Sequence, residues 1–283
     1  MTRLMKKGVL LFANNNEHID YIKQAIFCAK RVKRFTKLHV TLVTDNIQHV
    51  KKFSFYKKYI NKVIKVPSFN ETQQKKFHDG DSYIDATWKN FSRAICYDIS
   101  PYEQTLVIDT DFIINSKSVL ECFNTNHDFL INRFAFDLNT KRDNSSELLV
   151  SNTSIPMYWA TVFYFKKTKK TKILFNLIQY IRDNWSYYKL LYNIVSNTYR
   201  NDYAFSIAIH IMSSHESIVW PKVLPTLYMI TGQDTLLDIE DTKMTLLLQQ
   251  GKKEIACSIT GSDLHIMNKF SLDRYIDKDF ANE

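Results

Sequence analysis

Glycine and proline are scarce in this 283-residue chain, at 5 residues each. Neither G-x-G-x-x-G nor G-x-x-x-x-G-K-[ST] can be written from so few glycines. This excludes the dinucleotide fingerprint and the Walker loop, both of which need glycine where backbone meets phosphate. Cys28, Cys96, Cys122 and Cys257 are scattered, without C-x-x-C or Cys/His ligand spacing. They read as reduced core residues of a cytoplasmic protein. No run of about 18 apolar residues occurs, so no membrane-spanning helix is expected. In the opening MTRLMKKGVLLFANNN the apolar run stops at Ala13, which reads as a first strand and not as a signal peptide.

Apolar residues make up 45% and charged residues 24%, the balance of a globular protein. A chain of this length buries about 75% of its unfolded surface, so no staple is needed. The net charge of +9 favours phosphate-rich partners. It is concentrated in KRVKR (30–34), the lysines of 51–65, and KKTKKTK (166–172). The plainer reading of such runs is a solvated face.

Gly8 to Ala13 is a continuous apolar run, the pattern of a strand buried on both faces. Ile19, Ile22, Ile26 and Ala29 follow at helical spacing, then LHVTLVTD (38–45) and NKVIKVP (61–67) as further strands. Strands alternating with helices predict an α/β fold, with a mostly parallel central sheet flanked by helices. The polar segment 68–87 is expected to be a loop. TWKNFSRAICYDI (87–99) is expected to be a helix capped by Thr87 and stopped at Ser100-Pro101. HDFLINRFAF and MYWATVFYFKK read as strands around a polar stretch from Asp137 to Ser154. TKKTKILFNLIQYIRDNWSYYKLLY and NDYAFSIAIHIMSS read as helices, and the chain beyond Pro221 as irregular. No repeat or linker divides residues 1–283, so a single domain is expected.

The segment QTLVIDTDFIINS (104–116) places Asp109 and Asp111 where a buried strand should be. In extended chain the two side chains share a face, at the sheet edge where open α/β sheets bind ligands. Buried carboxylates are costly without a partner. A hard divalent cation shared with phosphate oxygens would neutralise them, although a solvated pair at a strand end is the simpler alternative. Arg93, on the preceding helix, would grip a phosphate or ribose, or pair with an aspartate. Asn14 and Asn15 end the first strand and Asp45 the second. Their amides and carboxylate suit a nucleobase and ribose, or ordinary turns.

LLFANNNEHIDY, LVTD, WKNFSRAICYDISPYEQTLVIDTDFII and DLHIMNKF together resemble GT-A glycosyltransferases of the family-8-like branch. More narrowly they are similar to enzymes of large phages, some of which decorate modified bases of viral DNA. The resemblance implies a GT-A-like (Rossmann-like) single domain over 1–283. Residues 1–115 would be the nucleotide-sugar-binding half and 116–283 the acceptor and metal-completing half. It implies a nucleoside diphosphate sugar, a UDP-sugar, as donor, with Mn2+ or Mg2+. Asp109 and Asp111 would bind the metal with His265 as third ligand, Arg93 and Asp109 would contact the donor, and Lys269 would lie near the diphosphate. The family's last segment reads His, then Gly and Lys-Pro-Trp, where this chain has HIMNKF.

Asp202 opens the helix of NDYAFSIAIHIMSS, and on sequence alone it reads as an N-terminal cap. The resemblance makes it the candidate catalytic carboxylate, near the anomeric carbon. Trp159 and Thr161 are candidates to line a sugar pocket, and Trp185, Tyr187 and Tyr188 to stack on bases, unless they are core. The implied acceptor is a hydroxylated base in phage DNA, in the host cytoplasm; the alternatives are a glycan or protein acceptor. From another class, a basic nucleic-acid-binding protein without catalysis also fits the charge. DTDFI approximates the phosphatase pattern D-x-D-x-[TV], but there the first aspartate follows the first strand, whereas here three strands precede it.

Overall fold

The computed structural model describes residues 5–67, 73–89, 92–143, 148–151, 155–214 and 222–283. Strand β1 (Met5–Phe12) leads into helix α1 (Tyr21–Thr36), whose first turn is capped by the Asp20 carboxylate accepting from the Lys23 amide. Then come β2 (His39–Thr44), a short α2 (Ile47–Lys51) and β3 (Lys62–Lys65). Apolar runs become strands here because both faces of the sheet are covered: Val9, Leu10, Leu11, Val40, Leu42 and Val43 are all buried. Gly8 is dictated by its neighbour. A Cβ at that position would lie 2.2 Å from the Tyr102 ring, whose hydroxyl bonds Thr41 Oγ1 at 2.7 Å.

The polar segment expected to be a loop instead forms a hairpin, β4 (Gln73–Asp79) and β5 (Ser82–Trp88). Gly80, at φ 64°, supplies the turn between Asp79 and Ser82. Thr87 is therefore a strand residue and not a helix cap. The helix expected over 87–99 is reduced to a 3-10 turn over Ser92–Ile95 and α3 (Cys96–Ile99), with residues 90 and 91 outside the described residues.

Strands β6 (Tyr102–Ile108), β7 (Phe112–Ile113), β8 (Phe129–Asn132), β9 (Ala135–Asp137) and β10 (Trp159–Lys166) follow. Helices α4 (Lys169–Asp183), α5 (Trp185–Leu191) and α6 (Asn201–Met212) occupy the positions the sequence predicts. Residues 144–147 and 152–154 of the predicted polar stretch Asp137 to Ser154 lie outside the described residues.

Beyond residue 221 the chain is not irregular. It forms β11 (Lys222–Val223), β12 (Leu227–Ile230), β13 (Thr235–Glu240), β14 (Lys243–Gln250), β15 (Lys253–Thr260), β16 (Leu264–Ile266) and α7 (Lys269–Phe280). The antiparallel β13-β14-β15 sheet buries one face only, through Leu236, Met244, Leu246 and Leu248.

The main sheet has the order β11-β8-β10-β6-β1-β2-β3. Within it β10 alone runs against its neighbours, so the expected α/β fold with a mostly parallel sheet and flanking helices is what forms. A second sheet, β7-β16-β12-β9, fixes the site. It pairs β16 with β7, setting His265 opposite Phe112, and the Ile266 amide donates to the Asp111 carbonyl at 2.9 Å. Ile113, Ile230, Leu264, Leu272 and Ile276 pack this sheet and α7 into one apolar cluster, joined by Phe27 of α1.

Candidate active site

The chain does not pass through Asp109 and Asp111 as one strand. β6 stops at Ile108, and a tight turn in which the Phe112 amide donates to the Asp109 carbonyl at 3.1 Å separates it from β7. The alternation of extended chain is therefore not what brings the two carboxylates together; the turn is. The Asp109 amide donates to the Thr161 carbonyl at 2.9 Å, anchoring the turn to β10.

Three groups converge at this turn. One ligand atom each from Asp109, Asp111 and His265 lies within 4.8 Å of the others, and His265 Nε2 is 3.0 Å from Asp111 Oδ2. Two cations complete the cluster: Arg93 pairs with Asp109, and Lys269 with Asp111. Arg93 also donates to the Ala160 carbonyl at 2.6 Å. Burial pushes the Arg93 guanidinium down to about 10, opposed by the charge of Asp202. Burial, then the charges of Lys75 and Arg93, hold the Lys269 ammonium well below its ordinary value, while Asp273 pulls the other way. Two hard carboxylates with an imidazole are a donor set that fits a divalent cation and leaves positions for phosphate oxygens.

The cluster forms one wall of a cavity of about 470 Å³. Asn14, Arg93, Asp109, Asp111, Trp159, Thr161, Asp202, His265 and Lys269 all line it, so most of the residues singled out in the sequence meet there. Two do not line it. Asn15 is spent on the helix start, donating to Asp20 at 2.8 Å and accepting from the Ile22 amide at 2.9 Å. Asp45 stands behind the wall, 3.5 Å from Lys89, while its amide donates to Asn14 Oδ1 at 3.2 Å.

Asp202 does not cap its helix. It is the second residue of α6, and the N-cap position, Arg200, has no side-chain cap bond. The carboxylate instead accepts from the Ala160 amide at 2.8 Å and pairs with Arg200 at 2.9 Å. Burial raises its pKa, but Arg200, the Ala160 amide and Arg93 together hold it below the ordinary carboxylate value. At neutral pH it is an anion and a poor proton donor.

Sequence reasoning missed the hairpin. Read as a loop, it supplies Lys75, Lys76, Phe77, His78 and Trp88 to the cavity, with the Lys75 ammonium 4.3 Å from the Trp88 ring centre. It is tied down at both ends. Thr87 exchanges bonds with Asn16 and Glu17 at 2.8 Å each, and Asp79 pairs with Arg274 at 2.7 Å. Arg200 was missed as well; only its place two residues before an acidic helix start could have flagged it. Trp185, proposed for base stacking, is packed between Tyr199 and Tyr203, at 5.3 and 6.0 Å, and Tyr188 is buried. Tyr187, the third of that set, is 63% exposed, away from the cavity lining.

The run KKTKKTK is also placed away from the cavity. From Thr161 at the cavity to Lys166, β10 advances roughly 17 Å, at about 3.4 Å per residue. Lys166 donates to the Thr125 carbonyl at 2.7 Å, and Lys167 lies 5.4 Å from the Tyr97 ring centre.

No family model and no curated protein matches this sequence. Among solved structures it is similar to the glycosyltransferase GlyE of Streptococcus pneumoniae TIGR4, at 13% identity and a TM-score of 0.45 over 78% of this chain. That match takes in 45% of GlyE, so this chain spans under half of it. The galactosyltransferase LgtC, solved with donor and acceptor sugar analogues, matches at 12% identity and a TM-score of 0.45, over 71% of this chain and 70% of its own. A 4-diphosphocytidyl-2C-methyl-D-erythritol synthase from Anaerococcus prevotii DSM 20548 matches at 11% identity and a TM-score of 0.38, covering 78% and 86% of the two chains. Among the described residues no helix is long and apolar enough to cross a membrane.

Proposed function

We propose that this protein is a metal-dependent glycosyltransferase with a GT-A-like single domain over residues 1–283. It would move a sugar from a nucleoside diphosphate sugar, a UDP-sugar, to a hydroxylated base in phage DNA, in the host cytoplasm. The observation that carries the reading is the convergence of Asp109, Asp111 and His265 in a cavity also lined by Arg93 and Lys269. Carboxylates and imidazole for a cation, beside a guanidinium and an ammonium for phosphate oxygens, form the complement of a metal diphosphate.

Asp109, Asp111 and His265 would hold Mn2+ or Mg2+, which when bound supplies Lewis-acid stabilisation of the charge developing on the leaving diphosphate. Arg93 and Lys269 are oriented by the aspartates they pair with, and both face the cavity where phosphate oxygens can compete for them. Asn14 sits at the end of β1, where residues 1–115 would bind the nucleoside, with Asp45 fixing it from behind through its amide. Asp202, kept ionised by Arg200 and the Ala160 amide, is suited to stabilising positive charge at an anomeric carbon. Residues 116–283 would complete the metal site and take the acceptor, with Trp159 and Thr161 against the sugar. The nucleic-acid acceptor rests on the net charge of +9.

The test is incubation with a mixture of sugar nucleotides, Mn2+ and hydroxymethylated DNA, read by mass spectrometry of both nucleotides and DNA. One sugar nucleotide should be consumed and the sugar's mass should appear on the base. No transfer to DNA, with consumption and transfer when an oligosaccharide or a protein is supplied in its place, would reassign the acceptor. No consumption of any sugar nucleotide would overturn the reading.

A further inference from the structure

We propose that the segment from α2 to β3 is a strip that binds the phosphate backbone of a nucleic acid and leads it to the mouth of the cavity. No residue from Asn46 to Pro67 is acidic, while six are lysine: Lys51, Lys52, Lys57, Lys58, Lys62 and Lys65. Lys58 is paired with Glu283 at 3.0 Å. The other five are exposed, and none has a carboxylate partner among the described residues. Exposed cations with no counter-charge within their own segment create a local positive field, and condensed counterions on a polyphosphate are released on contact with it.

The fold places one end of this strip on the same edge of the sheet as the site, separated from β6 by β1 and β2. β3 is the edge strand of the main sheet and runs parallel to β2, with Lys65 opposite Thr44. Lys65 is therefore at the same carboxyl edge as Asn14 and Asp109, and the edge from Lys65 to Lys62 extends away from the cavity by roughly 10 Å. A plainer explanation for lysine on an edge strand is that it blocks pairing with another sheet. That accounts for Lys62 and Lys65, but not for Lys51, Lys52 and Lys57, which precede the strand. An anionic membrane is the other polyanion to weigh. Stable attachment there calls for an apolar anchor beside the basic residues, and no large exposed apolar side chain occurs between Asn46 and Pro67.

The inference rests on the nucleic-acid acceptor proposed above, and its test separates the two. Binding of a short random duplex is followed by fluorescence anisotropy across a salt series. The wild type is compared with a variant carrying Gln at Lys51, Lys52, Lys57, Lys62 and Lys65, and with one carrying Gln at Lys169, Lys170 and Lys172. The slope of log K against log salt should become shallower by about 0.9 for each strip lysine that touched phosphate, and stay unchanged in the second variant. An unchanged slope in the strip variant overturns the proposal. So does a wild type that ignores the duplex but sediments with phosphatidylglycerol vesicles. None of the strip lysines lines the cavity, so sugar-nucleotide hydrolysis should be the same in strip variant and wild type. Absence of any sugar-nucleotide consumption by the wild type with hydroxymethylated DNA present would sink the glycosyltransferase reading, while the salt slope still decides the strip.

Discussion

The ammonium of Lys269, the first residue of α7, is paired with the carboxylate of Asp111, which follows β6. Both side chains are nearly buried, at 13% and 5% exposure, and His265 shares the same carboxylate oxygen. A buried charge left without its partner is costly, so the pair has consequences for stability as well as for chemistry.

Asp111→Asn is the first case. From the sequence alone, loss of an edge carboxylate would be expected to cost no stability. The structure reverses this, because the variant leaves Lys269 buried beside Lys75 and Arg93, whose charges already oppose it. Destabilisation of about 3–5 kcal/mol is expected at neutral pH, along with loss of activity. Adding Lys269→Met should restore much of the stability and none of the activity, a coupling that urea denaturation of the double-mutant cycle measures. Additive losses would show that the pair is energetically idle.

Asp202→Asn separates chemistry from folding. An amide oxygen can still accept from the Ala160 amide, so the local anchor survives while the charge is lost. Activity should fall by at least about a hundredfold in kcat, with little change in donor affinity, if the carboxylate acts on the transition state. A rise in KM at unchanged kcat would make Asp202 a donor-binding residue instead.

The parts of the fold legible in the sequence are those buried on both faces. Leu10 in β1, Leu42 in β2 and Val107 in β6 sit in unbroken apolar runs because helices or loops cover the sheet from either side. The hairpin escaped notice because Phe77 and Ala86 are the members of its strands that reach the core; QQKKFHD otherwise looks like a solvated loop. The aspartates could be read locally as a pair of charges in an apolar run. Their convergence with His265 depends on β16 pairing with β7, a contact between distant parts of the chain that local periodicity does not record. Asn15 is ambiguous for the opposite reason: a short amide at a strand end serves a ligand or a helix start equally well, and here it bonds the helix start.

His265→Ala tests the metal site without reference to turnover. Its Nε2 lies 3.0 Å from Asp111 Oδ2, so removing it should weaken Mn2+ binding, measured by calorimetry, by more than about tenfold. The backbone pairing of β16 is untouched by the change, so the variant should remain folded in EDTA, with a melting temperature lowered by the lost Asp111 contact. Equal Mn2+ affinity in variant and wild type would remove His265 from the ligand set.

Asp273 provides the pH test. Burial pushes its carboxyl up to about 6, a rise that Lys23 and a hydrogen bond from Gln24 at 2.9 Å only partly offset. An unfolded aspartate titrates near 3.9, so between about pH 4 and 6 the folded protein holds a proton that the unfolded chain has released. The unfolded state binds fewer protons in that window, and stability therefore falls as pH rises through it, by about 3 kcal/mol for this group. Asp273→Asn keeps an oxygen for Gln24 and carries no charge to desolvate. Relative to wild type it should be nearly neutral at pH 4 and stabilising by about 2–3 kcal/mol at pH 7. Urea denaturation of both proteins at the two pH values measures the difference, and a variant less stable than wild type at pH 7 would show that the Lys23 pairing, at 3.9 Å, outweighs the burial of the charge.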